Sequence, residues 1–406
     1  YPKDVQLSNN TTLNVNNSAN TQLQISGNLT VDNGSVFSME NMSITSPIDI
    51  GVNVLGNIIN NGSVTLSTST ERLKCVNFTN ASTGTTSLSS NIGGDLEITG
   101  NLVDNGTLNF NTNTRAIFFT GSSIQDVSGS GTFNIDYVVM NKTAGSVRLL
   151  NNLLCEGPNG GNAISFTSSR DTLDLNGFRL TLGKAGVNSV ISGNGIIKGS
   201  STSNITILGT GNIGSIQFDQ TTNGSTNRLN SFILTRTTSG IVTLASDLKV
   251  STIALNDGVL NINANQLSFT GSSISRISGQ VDADTGTISF ENSANVSLPA
   301  NLFTGTIQAI KLNTGITRTL NLSSDITLTG SIDFSTGHIN LVSSNFIFGV
   351  NAVVTGTPSA SSMLIAGGTG QVQRLWNNIG SFLYPIGEST GITEYSPLTV
   401  SVTSGI

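Results

Sequence analysis

Short apolar–polar alternations, each opened by a glycine, recur along this chain and predict β-strands that follow tight turns. The three clearest copies follow the pattern G-x-[LI]-N-[FIL], at residues 106–110, 258–262 and 337–341. Because successive side chains of a strand point to opposite faces, one set should be buried and the other exposed. The residues predicted to face inward are Leu108, Phe110, Leu260, Ile262, Ile339 and Leu341. Those predicted to face outward are Asn109, Asn261 and Asn340.

Longer phrases also repeat, which predicts a structural unit too small to bury its own apolar face. The phrase FTGSSI occurs at 119–124 and again at 269–274. A third phrase, a strand followed by a short polar loop, begins at residues 145, 240 and 315. Strands this short and evenly spaced fit a β-solenoid or a string of β-sandwich domains. The short repeat interval favours an all-β fold with a parallel β-helix-like solenoid over residues 1–370.

One copy of the third phrase is followed by a much longer segment than the others, CEGPNGGNAISFTSSRD at 155–171. We interpret this segment as a loop inserted into one coil. Functional residues are often carried by loops on a regular scaffold, so it is the first candidate for a site, and a neutral surface insertion is the alternative.

Composition narrows the function classes. Only 10% of the 406 residues are charged and the net charge is −6, so the chain lacks the basic surface that nucleic acids and anionic membranes require. No apolar run is long enough for a transmembrane helix. Cys75 and Cys155 lie far apart in sequence, and in a stacked array we expect two unpaired core thiols rather than a disulfide.

Few residues offer catalytic or metal-binding chemistry. The single histidine, His338, occupies the outward slot of a repeat and is expected to be an ordinary surface residue. Asp282 and Asp284 resemble part of a Ca²⁺ loop, with a simple Asp-rich turn as the alternative. Asp171 and Asp174, beside Arg170, form the other acidic group, either an acid pair or solvated loop charges. No catalytic residue is assigned, and no cofactor is expected other than Ca²⁺ at Asp282 and Asp284.

Residues 371–406 depart from the repeats and contain the only Trp, two of the four Tyr and two Pro residues. We expect them to begin a separate β-sandwich-like domain that later sequence completes. The phrases FLYPIG at 382–387 and YSPLTV at 395–400, together with the repeat style of 239–262, resemble repetitive surface proteins of Bacteroidota exported by the type IX secretion system. Ser396 departs from the Arg that is usual there.

That resemblance implies an extracellular location at the bacterial cell surface and roles in adhesion, gliding or matrix binding. The implied partners are the outer-membrane export or anchoring machinery, surface polysaccharide and other surface proteins. The sequence therefore favours a secreted structural or adhesive scaffold without catalysis. A polysaccharide-degrading β-helix and a carbohydrate- or calcium-binding module remain the alternatives.

Overall fold

The computed structural model describes residues 2–16, 21–42, 49–110, 115–130 and 133–404. Across these residues the secondary structure consists of strands and turns without a helix. The chain forms two compact units, residues 1–198 and residues 199–406.

The first unit is a parallel β-solenoid with three faces. The strands of sheet A are Val5–Leu7, Leu29–Val31, Ile58–Asn60, Phe78–Asn80, Leu102–Asp104, Gln125–Gly129, Val147–Leu149, Thr172–Asp174 and Ile196–Lys198. Those of sheet B are Thr12–Asn16, Val36–Glu40, Ser63–Thr65, Thr85–Ser87 and Thr107–Asn109. Those of sheet C are Leu23–Ile25, Ile50–Val54, Arg72–Cys75, Leu96–Ile98, Ala116–Gly121, Tyr137–Lys142, Asn162–Phe166 and Val190–Ser192. A further ladder, sheet D, contains Phe133–Asn134, Leu153–Cys155 and Arg179–Leu182.

Like residues stack on like residues because each coil repeats the same alternation. In sheet A, Leu29 is in register with Ile58, Ile58 with Phe78, and Phe78 with Leu102, and all four are 0% exposed. Paired residues in neighbouring coils are 20 to 29 positions apart in sequence. This arrangement buries one continuous apolar column between the three sheets, and it confirms the predicted parallel β-solenoid.

The second unit continues the same kind of winding with longer strands, paired in parallel up to Ile386–Glu388. Its strands are Asn204–Thr210, Gly214–Ile216, Arg228–Thr237, Ile241–Leu244, Leu248–Asp257, Val259–Asn261, Gln266–Arg276, Gln280–Phe290, Val296–Ser297, Phe303–Asn313, Thr319–Asn321, Ile326–Asn340, Phe346–Phe348, Val353–Gly356, Ser362–Ile365, Val372–Arg374, Gly380–Tyr384, Ile386–Glu388, Glu394–Tyr395 and Leu398–Val402.

The inward and outward assignments from the repeat phrase hold, with one exception. Five of the six predicted core residues are buried, and the three predicted outward asparagines are partly or fully exposed. Leu108 is only half-buried, because sheet B ends at its strand. Gly258 and Gly337, the glycines that open two of these phrases, adopt φ of 94° and 101°, a region that favours glycine. A Cβ on Gly337 would also collide with Thr314 Oγ1.

Asparagine side chains fasten successive coils at their corners. Asn28 Oδ1 accepts a hydrogen bond from the Asn57 backbone N–H at 2.9 Å, and Asn57 Oδ1 accepts one from Asn77 Nδ2 at 2.7 Å. Asn77 Oδ1 in turn accepts one from the Asn101 N–H at 2.6 Å. Each amide therefore satisfies a polar group of the next coil at the point where regular strand pairing begins.

A second polar column is buried inside the first unit. Asn60 Nδ2 donates to Asn80 Oδ1 at 2.9 Å, and Asn80 Nδ2 donates to Asp104 Oδ1 at 2.7 Å. Asn60 and Asn80 are 0% exposed and Asp104 is 8% exposed. The column ends in a carboxyl group, and burial raises the pKa of Asp104, while the hydrogen bond from Asn80 partly offsets this rise.

The segment 155–171 is not an inserted loop, so that interpretation was wrong. Within it, Asn162–Phe166 is a regular strand of sheet C, paired with Tyr137–Lys142 on one side and Val190–Ser192 on the other. The spacing from Leu153 to Gly177 is longer because two further strands, Asn162–Phe166 and Thr172–Asp174, lie within it, whereas the single strand Leu248–Asp257 spans the interval in a later copy. The segment still forms an ordinary part of the array.

The parallel ladders pass the boundary that the sequence predicts at residue 371. Val372–Arg374 pairs with Phe346–Phe348, and Ile386–Glu388 pairs with Ser362–Ile365. Antiparallel pairing also occurs in this region, between Gly380–Tyr384 and Leu398–Val402 and between Ile386–Glu388 and Glu394–Tyr395. The separate domain at 371–406 remains a prediction.

Both cysteines are free and buried, as expected. Cys75 lies in sheet C and Cys155 in sheet D, at 1% and 0% exposure. Burial raises the pKa of each thiol, so both stay protonated at neutral pH.

We expect Phe290→Ala to lower the free energy of unfolding by about 3 to 5 kcal/mol, because the surrounding coils cannot close the cavity. Phe290 is 1% exposed and stacks on Phe269 with ring centroids 5.5 Å apart. Phe110→Ala should have a smaller effect, since Phe110 lies where sheet B ends. Urea denaturation of both variants measures the difference, and equal losses would contradict it.

We expect Asp104→Asn to stabilise the protein at pH 7, since an amide keeps the acceptor oxygen for Asn80 without a buried charge. The unfolded carboxyl has a pKa of about 3.9 and the folded one a higher pKa. The carboxyl's contribution to stability is therefore fully present below the unfolded pKa and is lost as pH rises through the folded pKa. Urea denaturation at pH 3 and pH 7 should show the advantage of the variant growing with pH. A wild type more stable than the variant at pH 7 would contradict this.

Candidate functional site

The clearest irregularity of the first unit is the end of sheet B. Its last strand, Thr107–Asn109, pairs with Thr85–Ser87 on one side. Among the described residues no strand pairs with its other edge, and the next strand on this side, Phe133–Asn134, begins sheet D. Sheets A and C continue past this point without a break. The two coils that meet at this point are therefore hydrogen-bonded to each other in sheets A and C. On the face formed by sheet B, no strand pairing joins them among the described residues.

The separation opens a groove with a cavity volume of about 550 Å³. Its lining residues are Ser87, Leu108, Asn109, Phe110, Asn134, Asp136 and Glu156. Leu108 and Phe110 belong to the inward set of the repeat; Leu108 is half-buried and Phe110 is 8% exposed, and both line a space open to solvent. The groove therefore combines apolar core side chains with a polar rim, and its volume lies within the range of ligand pockets.

Two carboxylates stand on neighbouring coils at one side of the groove. The Gly157 backbone N–H donates to the Asp136 carbonyl oxygen at 2.8 Å, which places Asp136 beside Glu156. Glu156 Oε2 accepts a hydrogen bond from Lys184 Nζ at 2.9 Å, and this contact raises the pKa of Lys184. Two carboxylates and one ammonium give this side an acceptor-rich, net negative character.

Outward polar side chains of sheet B lead up to the groove. We call this set the polar rank; its members are Ser63, Thr65, Thr85, Ser87, Thr107 and Asn109. In register, Ser63 lies beside Thr85 and Thr65 beside Ser87, and the next pairs are Thr85 with Thr107 and Ser87 with Asn109. Neighbouring members repeat at the strand spacing of about 4.8 Å. The polar rank is a regular array of neutral hydroxyl and amide groups.

The expectation that His338 is an ordinary surface residue was wrong. Its side chain is 5% exposed, and its Nε2 lies 3.0 Å from the Ala360 carbonyl oxygen. The segment of Ser359 and Ser361 covers it, and together they line a cavity of about 380 Å³. The equivalent slot in another repeat, Thr107, has no such cover and is exposed. The burial of His338 depends on a loop of the following coil, which the repeat phrase does not encode.

The carboxylates of Asp282 and Asp284 accept hydrogen bonds from other residues of the protein. Asp282 Oδ2 accepts from Asn261 Nδ2 at 2.9 Å, and Asp284 Oδ1 accepts from the Thr306 backbone N–H at 2.8 Å. Among the described residues no group of three or more His, Cys, Asp or Glu side chains is arranged to hold a metal ion. The Ca²⁺ site stays a prediction, with two carboxylates as its only acidic ligands.

Asp171 and Asp174, predicted as either an acid pair or solvated loop charges, take two different structural roles. Asp171 is 0% exposed, and its carboxylate accepts hydrogen bonds from the backbone N–H groups of Lys142, Thr167 and Ser168 at 2.7 to 2.8 Å. Asp174 forms a 2.9 Å ion pair with Lys198. Asp171 is therefore a buried clamp between two coils, contrary to the solvated alternative.

A charged network lies on the outer face of sheet C. Arg72 pairs with Asp49 at 2.9 Å and with Glu97 at 2.8 Å, and Lys74 also pairs with Glu97 at 2.8 Å. The Arg72 guanidinium lies 4.4 Å from the centre of the Phe118 ring. These charges satisfy one another across adjacent strands, as expected for a network that supports the sheet.

Sequence reasoning did not single out Asp136 and Glu156. A usable signal exists, because the apolar segments FNI at 133–135 and LLC at 153–155 are each followed by an acidic residue. Aligning those two segments places the acids on one edge. The open groove itself could not be foreseen, since it depends on which coils pair.

Comparisons with known proteins give no further assignment. No family model, no curated protein and no solved structure matches the chain. Within the part of the chain that the structure describes, no helix is both long and apolar enough to cross a membrane.

We expect Asp171→Ala to lower the free energy of unfolding by about 3 kcal/mol or more, because three backbone donors lose a charged acceptor. Asp174→Ala is the matched control, and removing its ion pair should cost about 1 kcal/mol or less. Urea denaturation of the two variants tests this, and similar losses would show that Asp171 is not the clamp described.

Proposed function

We propose that this protein is an extracellular surface protein whose β-solenoid is a scaffold for attachment to hydroxylated surfaces. The polar rank is the observation on which this proposal rests. A set of neutral donors and acceptors that repeats over three successive coils can make several weak hydrogen bonds to a surface that itself repeats. Such contacts add up when they are held in one rigid frame.

The chemistry of the rank suits attachment better than catalysis. Its members are neutral hydroxyl and amide groups on short side chains, so little conformational entropy is lost when they bind. Their backbone is fixed in parallel ladders on sheet B. The resemblance of residues 382–387 and 395–400 to exported surface proteins supports an extracellular location and partners in the export or anchoring machinery.

The test uses beads coated with the purified protein and held under flow on agarose, glass and methyl-terminated surfaces. We expect retention on agarose and glass and little retention on the methyl surface. Thr65→Glu with Thr85→Glu should strongly reduce retention, because carboxylates interrupt the neutral rank. Both side chains are half-buried at outward positions, and circular dichroism should show the fold retained.

The control variant has the same Thr→Glu substitutions on another face of the solenoid. Thr30 and Thr79 are outward, half-buried residues of sheet A, and Thr30→Glu with Thr79→Glu should leave retention unchanged. Equal loss in both double variants, or no retention of the wild type on any hydroxylated surface, would contradict the proposal.

A further inference from the structure

We propose that the groove at the end of sheet B binds a neutral saccharide chain. This inference names a ligand for the proposed attachment function and rests on it. The groove is formed where Thr107–Asn109 ends sheet B, and it is lined from both neighbouring coils.

The first argument is the combination of surfaces. Sugar rings have an apolar C–H face and a rim of hydroxyl groups. Leu108 and Phe110 supply an apolar wall, and Phe110 adds an aromatic ring. Ser87, Asn109 and Asn134 supply a hydroxyl and two amides, which both donate and accept hydrogen bonds. A ligand with only apolar groups would leave the polar rim unused.

The second argument is charge. Asp136 and Glu156 line the groove, and Lys184 lies 2.9 Å from Glu156 and also interacts electrostatically with Asp136. Carboxylates accept strong hydrogen bonds from hydroxyl donors. The net negative side repels uronates and sulfated sugars, so a neutral chain is favoured over an anionic one.

The third argument is continuity with the surface beside it. Ser87 and Asn109 belong both to the groove and to the polar rank, and Asn109 Nδ2 donates to Ser87 Oγ at 3.2 Å. A chain held in the groove therefore runs onto an array of hydroxyl and amide groups. This is the arrangement expected for a polymer rather than for a small isolated ligand.

Isothermal titration calorimetry tests the inference with neutral tetrasaccharides of glucose, mannose and N-acetylglucosamine. Tetragalacturonate and CaCl₂ alone are the comparison ligands. We expect at least one neutral tetrasaccharide to bind more tightly than tetragalacturonate. Asn109→Ala and Asp136→Ala should each weaken this binding by about tenfold.

Asn321→Ala is the matched control. Asn321 is an outward asparagine on a ladder of the second unit, with its Nδ2 3.5 Å from Ser297 Oγ, and its loss should leave binding unchanged. Circular dichroism and melting temperatures verify that all three variants fold. The inference is overturned if no neutral tetrasaccharide binds, if the groove variants bind like the control, or if only Ca²⁺ binds at Asp136.

Bead retention separates this inference from the proposed function. Retention that depends on Thr65 and Thr85, without any saccharide binding, would leave the attachment function standing and remove the saccharide site. Saccharide binding that is lost in Asp136→Ala, without bead retention, would leave the groove standing and remove the attachment function.

Discussion

Register between successive coils is the constraint on which the rest of this structure depends. A slip of one residue would turn every apolar side chain of a strand outward. Corner asparagines such as Asn28, Asn57 and Asn77 prevent such a slip, because each side-chain oxygen accepts a hydrogen bond from a defined group of the next coil. The inward stack of Leu29, Ile58 and their successors then follows.

A solenoid of this kind needs few charged residues, and those that are buried in it are held by hydrogen bonds. Arg236 is 0% exposed and donates through Nε to Gly211 O and through Nη1 to Leu208 O, both at 2.7 Å. Burial lowers the pKa of Arg236 to about 10, which still leaves it charged at neutral pH. Like Asp171, it ties its own coil to backbone groups of a neighbouring segment.

The sequence predicts what is local and periodic. The alternation around Leu260 and Ile262 or around Ile339 and Leu341 specifies strands and their buried faces, because the inward residues pair with apolar residues of the coils on both sides. The unpaired state of the two thiols also follows from the repeat, because residues that are far apart in sequence lie far apart in a stacked array. These features needed only the repeat and the two-residue period of a strand.

Features that depend on contacts between neighbouring coils could not be predicted from the repeat pattern. His338 has the same local pattern as Thr107, yet a loop from the following coil covers it. Leu108 has the same pattern as Leu260, yet the end of sheet B leaves it half-exposed. Segment 155–171 resembles an insertion because its coil has separate strands, including Asn162–Phe166, where a later copy has the single long strand Leu248–Asp257. The groove depends on all of these coil-to-coil relations, so Asp136 and Glu156 were found only in three dimensions.

The two cysteines have a practical consequence. Cys75 and Cys155 are enclosed in the core, and burial raises the pKa of both thiols, so neither presents a reactive thiolate to reagents in solution. A cysteine introduced at an exposed position, for example in place of Asn134, would be the one thiol open to a maleimide dye. The native chain thus serves, without prior removal of its own cysteines, as a background for single-site fluorescent labelling.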